Sequence, residues 1–237
     1  MRGTKKYRGL IHFHSCYSFD SLISLNDILD FAEREQLNFL ILTDHDNTKS
    51  SVLLKEYAQK RKLDIEIPVA AEFYTEYGDV IAAFVNQDTH VTSYADLVKQ
   101  VKNQEGLLLF PHPFLSHSNI EIIAQDVDLI EVFNSRISDD LNLRAKELAV
   151  KYSKNIYFAS DAHLVRNLSG AIVEVEKNGD LKNSLLYGDI KQVSCVKTSY
   201  TELLFSQYIK AIKTFDVKLL CYLHVAFVNN LLKKFRF

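Results

Sequence analysis

A repeated alternation constrains this chain more than any other feature. Short, continuously apolar runs are each followed by an amphipathic segment. The runs are Leu10-Ile11, 38–43 (NFLILT), 65–71 (IEIPVAA), 107–110 (LLLF), 128–133 (DLIEVF) and 156–159 (IYFA). Runs of this length with no polar alternation suit strands buried on both faces, as in a parallel sheet under helices. Between them, Leu25, Ile28, Leu29 and Ala32 recur along one helical face behind a capping-box-like Ser24-Leu25-Asn26-Asp27. Further helices are expected over 49–62, 93–104 and 138–152, and an extended pair over 74–85 around Gly78-Asp79. The class is α/β, and five or six β-α units over the first two-thirds of the chain point to a (β/α) barrel. An open doubly wound sheet is the alternative, but no G-x-G-x-x-G or P-loop pattern follows the first strand.

The pattern weakens after Ala171. One more strand is expected over 171–175, and helices over 200–213 and 216–236. The domain expectation is therefore a barrel over 1–199 and a helical extension over 200–237, docked on it. Lys233, Lys234 and Arg236 complement the dipole of a final helical turn. A membrane-surface or partner-binding tail is the alternative.

Bulk properties exclude several classes. The 237 residues carry a net charge of −2, which gives no basic field for nucleic acid. Cys16, Cys195 and Cys221 are widely spaced and contain no C-x-x-C pair, so they read as free thiols. No apolar run has the length of a transmembrane helix. The N-terminal MRGTKKYRGL has no apolar signal region before His12. A cytoplasmic protein is expected.

The residues closing each apolar run carry the chemistry. His12 and His14 stand two apart at the end of the first strand, where both rings can share one face. Asp20 follows. The next runs end in Asp44-His45, Glu72, Pro111-His112-Pro113, Asn134-Ser135-Arg136 and Ser160-Asp161-Ala162-His163. Barrel enzymes build their sites at the C-terminal ends of their strands. Imidazole mixed with carboxylate is a ligand set for zinc, manganese or iron.

These segments resemble the PHP family (polymerase and histidinol phosphatase domain). The resemblance rests on His12-Phe13-His14 with Asp20, Thr43-Asp44-His45, Glu72, Pro111-His112-Pro113 and Ser160-Asp161-Ala162-His163, in the family's order. It implies a distorted seven-stranded, TIM-like (β/α) barrel with C-terminal helices. It also implies His12, His14, Glu72 and Asp161 around one metal, with Asp20, His45 and His163 around a second. Glu72 would bridge to a third metal at His112, where Asp79 stands in place of the His that many members carry. Two to three divalent ions (manganese, zinc or iron) are the expected cofactors.

The expected activity is hydrolysis of a phosphate ester of a small metabolite or nucleotide by a metal-bridged hydroxide. Asp44, His45 and His163 are the catalytic candidates, Asp44 as an orienting group or proton carrier. Arg136, as a bidentate fork, with Asn134 and His117, would bind substrate. Ser15, Ser18 and Cys16 read as turn and packing residues. An exonuclease on nucleic-acid ends is disfavoured by the weakly acidic chain, and a non-catalytic scaffold by the nearly complete ligand set.

Overall fold

The structure, a computed structural model, describes residues 6–86 and 89–234, with side chains up to residue 227. Residues 1–5, 87–88 and 235–237 lie outside that range, and with them Arg236 of the expected final helical turn. The first half comprises β1 (Lys6–Ile11), α1 (Leu25–Arg34), β2 (Phe39–Ile41), α2 (Lys49–Lys60), β3 (Ala70–Thr75) and β4 (Gly78–Ala83). Next come α3 (Tyr94–Asn103), β5 (Leu107–Phe110), α4 (Ile120–Asp126), β6 (Leu129–Asn134), α5 (Asp139–Lys151) and β7 (Asn155–Ala159). The chain closes with β8 (Val173–Glu176), α6 (Leu181–Tyr187), β9 (Ile190–Gln192), α7 (Tyr200–Lys213) and α8 (Val217–Lys234). At α1 the anticipated capping box forms: Ser24 Oγ accepts from Asp27 N, and the Asp27 carboxylate accepts from Ser24 N. Such a cap stabilises a helix by about 1 kcal/mol.

The fold is mixed α/β and divides into two sheets, of order β2-β1-β8-β9 and β3-β4-β5-β6-β7. Among the described strands, β1–β2, β5–β6 and β6–β7 pair in parallel. The other pairs are antiparallel: β3–β4 falls where an extended pair around Gly78-Asp79 was expected, while β4–β5 departs from the parallel pairing expected of the apolar runs. Between β3 and β4 lie only Glu76 and Tyr77, enough for a hairpin and too few for a crossover helix. The third strand also begins later than its apolar run. Pro68 has no N–H for a ladder, so β3 starts at Ala70 and Glu72 lies inside it.

The expected single barrel is not one continuous ladder among the described residues. The two sheets meet instead at isolated parallel bridges, Phe39↔Glu66 and His45↔Glu72 beside β2 and Phe13↔Ala162 beyond the ends of β1 and β7. Backbone hydrogen bonds accompany them, including Asp46 N to Glu72 O (2.9 Å) and His14 N to Ala162 O (2.9 Å).

The core forms three layers. Ile11, Ile41, Ile81, Leu109, Leu129 and Tyr157 fill the space between the sheets. Leu10, Phe13 and Leu40 pack beneath Ile28, Leu29 and Ala32 of α1. Phe73, Leu108 and Phe110 pack beneath Leu97 of α3, Ile123 of α4 and Leu148 of α5. Each fully buried Leu or Ile contributes about 1.5–3 kcal/mol. Gly9 lets β1 and β2 approach, because a Cβ there would lie 2.1 Å from Phe39 O. The central layer forms the floor of the polar centre described next.

Candidate metal centre

The centre begins with a change of phase in β1. Leu10 faces the helices and Ile11 the central layer, so strict alternation would turn His12 out and Phe13 in. Instead Phe13 joins Leu10 in the helix-side layer, and His12 and His14 are completely buried in the centre. His12 takes a left-handed backbone (φ 59°) that resets the alternation, as a bulge does. His112 (φ 28°) and Asp161 (φ 49°), also just beyond strand ends, share this region. Such conformations cost roughly 1–3 kcal/mol each and persist where the surroundings over-determine them.

Three contiguous donor groups result. The ligand atoms of His14, Asp20, His45 and His163 lie within 4.8 Å of one another, as do those of His12, His14 and Asp161, and those of His12, Glu72 and His112. His14 is shared by the first two groups, and His12 by the last two. His14 Nε2 is 3.4 Å from Glu72 Oε2 and 3.3 Å from Asp161 Oδ1. Asp20 Oδ2 stands 3.0 Å from His163 Nε2 and 3.3 Å from His45 Nε2. Glu72 reaches His45 Nδ1 (3.3 Å) with one oxygen and His112 Nε2 (3.2 Å) with the other.

This donor set fits divalent cations. His12 Nε2, His14 Nε2, Asp20 Oδ1 and His112 Nδ1 are buried without a hydrogen-bond partner among the described residues. A buried polar atom left unpaired costs about 1–3 kcal/mol, which a cation accepting its lone pair would offset. The imidazoles are aimed by buried acceptors. His12 Nδ1 lies 2.8 Å from Glu131 Oε1, which leaves Nε2 facing Glu72 and Asp161 at 3.6 Å each. His14 Nδ1 meets Ser18 Oγ at 3.3 Å, and that hydroxyl donates to Asp44 Oδ1 at 2.7 Å.

Charge is balanced within the cluster. Burial alone would lower the His12 imidazole, but Glu131, Glu72 and Asp161 carry it well above the ordinary histidine value. Burial likewise opposes protonation of His45, and Asp20 and Glu72 reverse this, raising it to about 9. His14 goes the other way, lowered to about 4 by burial and the neighbouring His163 and His45. Against the cost of burial, Asp20 is held well below the carboxylate range by His163 and His45, and Asp161 by Arg136 and His12.

The remaining sequence candidates have distinct placements. Asp44 is fully buried, accepting from Ser15 N (2.7 Å), Ser15 Oγ and Ser18 Oγ; it belongs to none of the three groups. Asn134, expected at the substrate, is also fully buried, and its amide donates to Glu131 (2.9 Å) and Asp161 (3.3 Å). Facing inward, it braces the two carboxylates. Asp79 is likewise outside the three groups; burial and Glu72 raise it to about 6. His117 Nε2 donates to Asp79 O (2.8 Å), and its ring covers Gly78 (φ 114°), where a Cβ would lie 2.4 Å away. Arg136 lies alongside: Nε is 3.4 Å from Asp161 Oδ2, and Nη1 is 2.8 Å from His163 Nδ1. Sequence reasoning underrated Glu131, Ser15 and Ser18. Glu131 was signalled by its carboxylate within an apolar strand and by its place in the EVFNSR stretch with Asn134 and Arg136.

The PHP domain family matches residues 11–215 of this chain. The chain belongs to the PHP family. Two uncharacterized proteins of the archaeon Methanocaldococcus jannaschii are similar to this PHP protein. One is 28% identical over 156 residues, covering 62% of this chain and 90% of its own length. The other is 32% identical over 139 residues, 51% of this chain and 57% of its own. Among solved structures, a two-domain Bacteroides vulgatus protein, described as containing a predicted PHP-like metal-dependent phosphoesterase, superposes with a TM-score of 0.64 at 20% identity. That match covers 76% of this chain and 62% of the Bacteroides protein, so this PHP chain spans less than two-thirds of it. PsfC of Pseudomonas syringae superposes with a TM-score of 0.63 at 14% identity, covering 88% of this chain and 99% of its own. At these identities the structural matches establish the fold alone. No helix among the described residues is long and apolar enough to cross a membrane.

Proposed function

We propose that this protein is a metal-dependent phosphoesterase acting on a small phosphorylated metabolite or nucleotide. One observation carries the reading: three contiguous imidazole–carboxylate groups share ligands and contain buried lone pairs with no partner. The description of the Bacteroides relative supports it. The ligands are His12, His14, Asp20, His45, Glu72, His112, Asp161 and His163, holding two to three manganese, zinc or iron ions. Asp79 lies outside this set. Bound divalent ions supply an activated water and neutralise phosphate charge.

The chain's own residues do the rest. Glu131 and the Asp44–Ser18 pair hold His12 and His14 with Nε2 toward the ions, which makes Asp44 a positioning residue. Arg136 offers guanidinium N–H groups to a phosphate oxygen at the edge of the Asp20 group. His45 and His163 flank Asp20 at 3.3 and 3.0 Å, and His45, raised to about 9, holds a proton there before metal loads. The same reading takes β1 to β7 as a seven-stranded barrel closed through these isolated bridges, with β8 and β9 appended beside β1. It keeps 1–199 as the barrel domain and 200–237 as its extension.

The test has two parts. Metal analysis of protein purified without chelator is expected to find two to three transition-metal equivalents, and a folded, metal-free, inactive protein would refute the assignment. Phosphomonoesters, nucleoside bisphosphates, cyclic phosphodiesters and single-stranded oligonucleotides are then compared with added manganese and with zinc. Turnover of oligonucleotides alone would move the assignment to a nuclease.

A further inference from the structure

Three carbonyl oxygens of one loop converge on a single ammonium. Lys213, in the last turn of α7, donates to Cys16 O (2.8 Å), Ser18 O (2.5 Å) and Ser21 O (3.1 Å). These use all three donors of a lysine. Among the described residues these carbonyls have no other hydrogen-bond donor. The loop they belong to joins β1 to α1 and carries Asp20, the one carboxylate in the group with His14, His45 and His163.

The Asp20 side chain meets His163 (3.0 Å) and His45 (3.3 Å), and its backbone is held from both sides by Lys213. Phe19 and Asp20 make no backbone hydrogen bond outside regular elements, while the carbonyls on either side, Ser18 O and Ser21 O, both point to Lys213. The flanks are pinned as well: Ser15 and Ser18 to Asp44, Ser21 Oγ to His14 O (2.9 Å) and His163 O (3.2 Å), Cys16 N to Ile23 O (2.7 Å) and Leu22 N to His163 O (3.4 Å). The same helix touches the centre twice more. Lys210 Nζ lies 4.9 Å from the Phe19 ring centre, and that ring stacks on His45 at 4.5 Å. Ser206 Oγ accepts from Arg136 Nη2 at 3.2 Å.

We infer that Lys213 is a positioning residue whose ammonium holds the 16–21 loop closed on α7 and thereby sets Asp20 against His45 and His163. Without the ammonium, three carbonyl dipoles face one another and the loop opens. The inference rests on the metal-centre reading above and extends it to a helix outside the expected barrel domain. Its consequence is selective. Loss of Lys213 weakens the metal position containing Asp20 and spares the positions built from His12, Glu72, His112 and Asp161.

The full-length chain and Lys213→Ala are titrated with manganese and with zinc against a chromophoric chelator. One equivalent is expected to weaken about 10–100-fold, as when a group supporting a ligand is removed, while the others bind as in the parent. Added n-propylammonium, which replaces the lost part of the side chain, restores that equivalent. In the metal-free proteins, amide exchange over 15–22 accelerates in the variant, and exchange in β5 and β6 does not change. Unchanged affinity of every equivalent, or unchanged exchange over 15–22, overturns the inference. A parent chain that binds no metal refutes the metal centre instead, and the exchange comparison still decides the latch. Should alanine unfold the chain, Lys213→Met retains the apolar stem and repeats both measurements.

Discussion

His12 Nδ1 stands 2.8 Å from Glu131 Oε1, and this contact decides which nitrogen of His12 faces the centre. The other Glu131 oxygen accepts from His112 N (2.6 Å) and from the Asn134 amide (2.9 Å). One buried carboxylate thus orients His12 directly and the turn bearing His112 through its backbone. A carboxylate behind a ligand histidine fixes its tautomer and raises its basicity.

Glu131→Gln should therefore weaken metal binding without touching a metal. The amide keeps the volume but loses the charge and an acceptor oxygen, so one of three donors is left unmatched. A fall of about 10–100-fold in affinity is expected, with strand content retained. Chelator competition and circular dichroism measure the two quantities. Parent-like affinity would remove Glu131 from its orienting role.

Ligand sharing ranks the alanine variants. His14 belongs to two donor groups, whereas His112 belongs to one. His14→Ala is accordingly expected to lose more metal equivalents than His112→Ala. His14→Ala and Asp161→Ala should both abolish turnover while the fold persists, since the apolar layers below do not use these side chains. Metal content per chain and turnover on a responsive phosphate ester are the readouts. Undiminished rates would mean that the site lies elsewhere.

The metal-free protein should have a stability maximum near neutral pH. Burial opposes the His45 charge, but Asp20 and Glu72 raise its pKa to about 9 from 6.5. A raised histidine contributes stability fully below its unfolded pKa, and that contribution is lost as pH rises through about 9. His14 is lowered to about 4, so its penalty grows as pH falls from 6.5 toward that value. The Tm of chelated protein should fall on both sides of about pH 6.5. Metal displaces the proton from His45, so the loaded protein should lose the alkaline decline. Calorimetry with and without chelator tests this; a chelated Tm that rises through pH 9 would contradict it.

The convergence of these side chains was largely legible in the sequence, because apolar strand runs repeatedly end in metal-capable residues. The sheet pattern was less so. A continuous apolar run records burial on both faces, and antiparallel β4 between β3 and β5 is buried that way as well as any parallel strand. The phase change at His12 was hidden, since a left-handed non-glycine residue leaves no mark in the composition of its neighbours. The bracing role of Asn134 at the end of β6 was also hidden. Its inward turn depends on Glu131 and on Asp161, from another strand end. Lys213 was hidden for a different reason: a basic residue in the last turn of a helix is already accounted for by the helix dipole.

The two C-terminal helices should separate in deletion experiments. α7 reaches the centre through Ser206, Lys210 and Lys213. No described side chain of α8 is hydrogen-bonded to it, and Val217, Tyr222 and Val225 are largely exposed, with Leu223 buried. Removing residues 216–237 is therefore expected to leave metal stoichiometry and turnover near the parent values, at the cost of uncovering the α7 surface beneath Leu223. Removing 200–237 takes away Lys213 as well and should lose the metal position containing Asp20. Metal content and turnover of the two truncations, each compared with the full chain, decide the point. Equal losses in both would place α8 in the support of the centre, contrary to the geometry of α7.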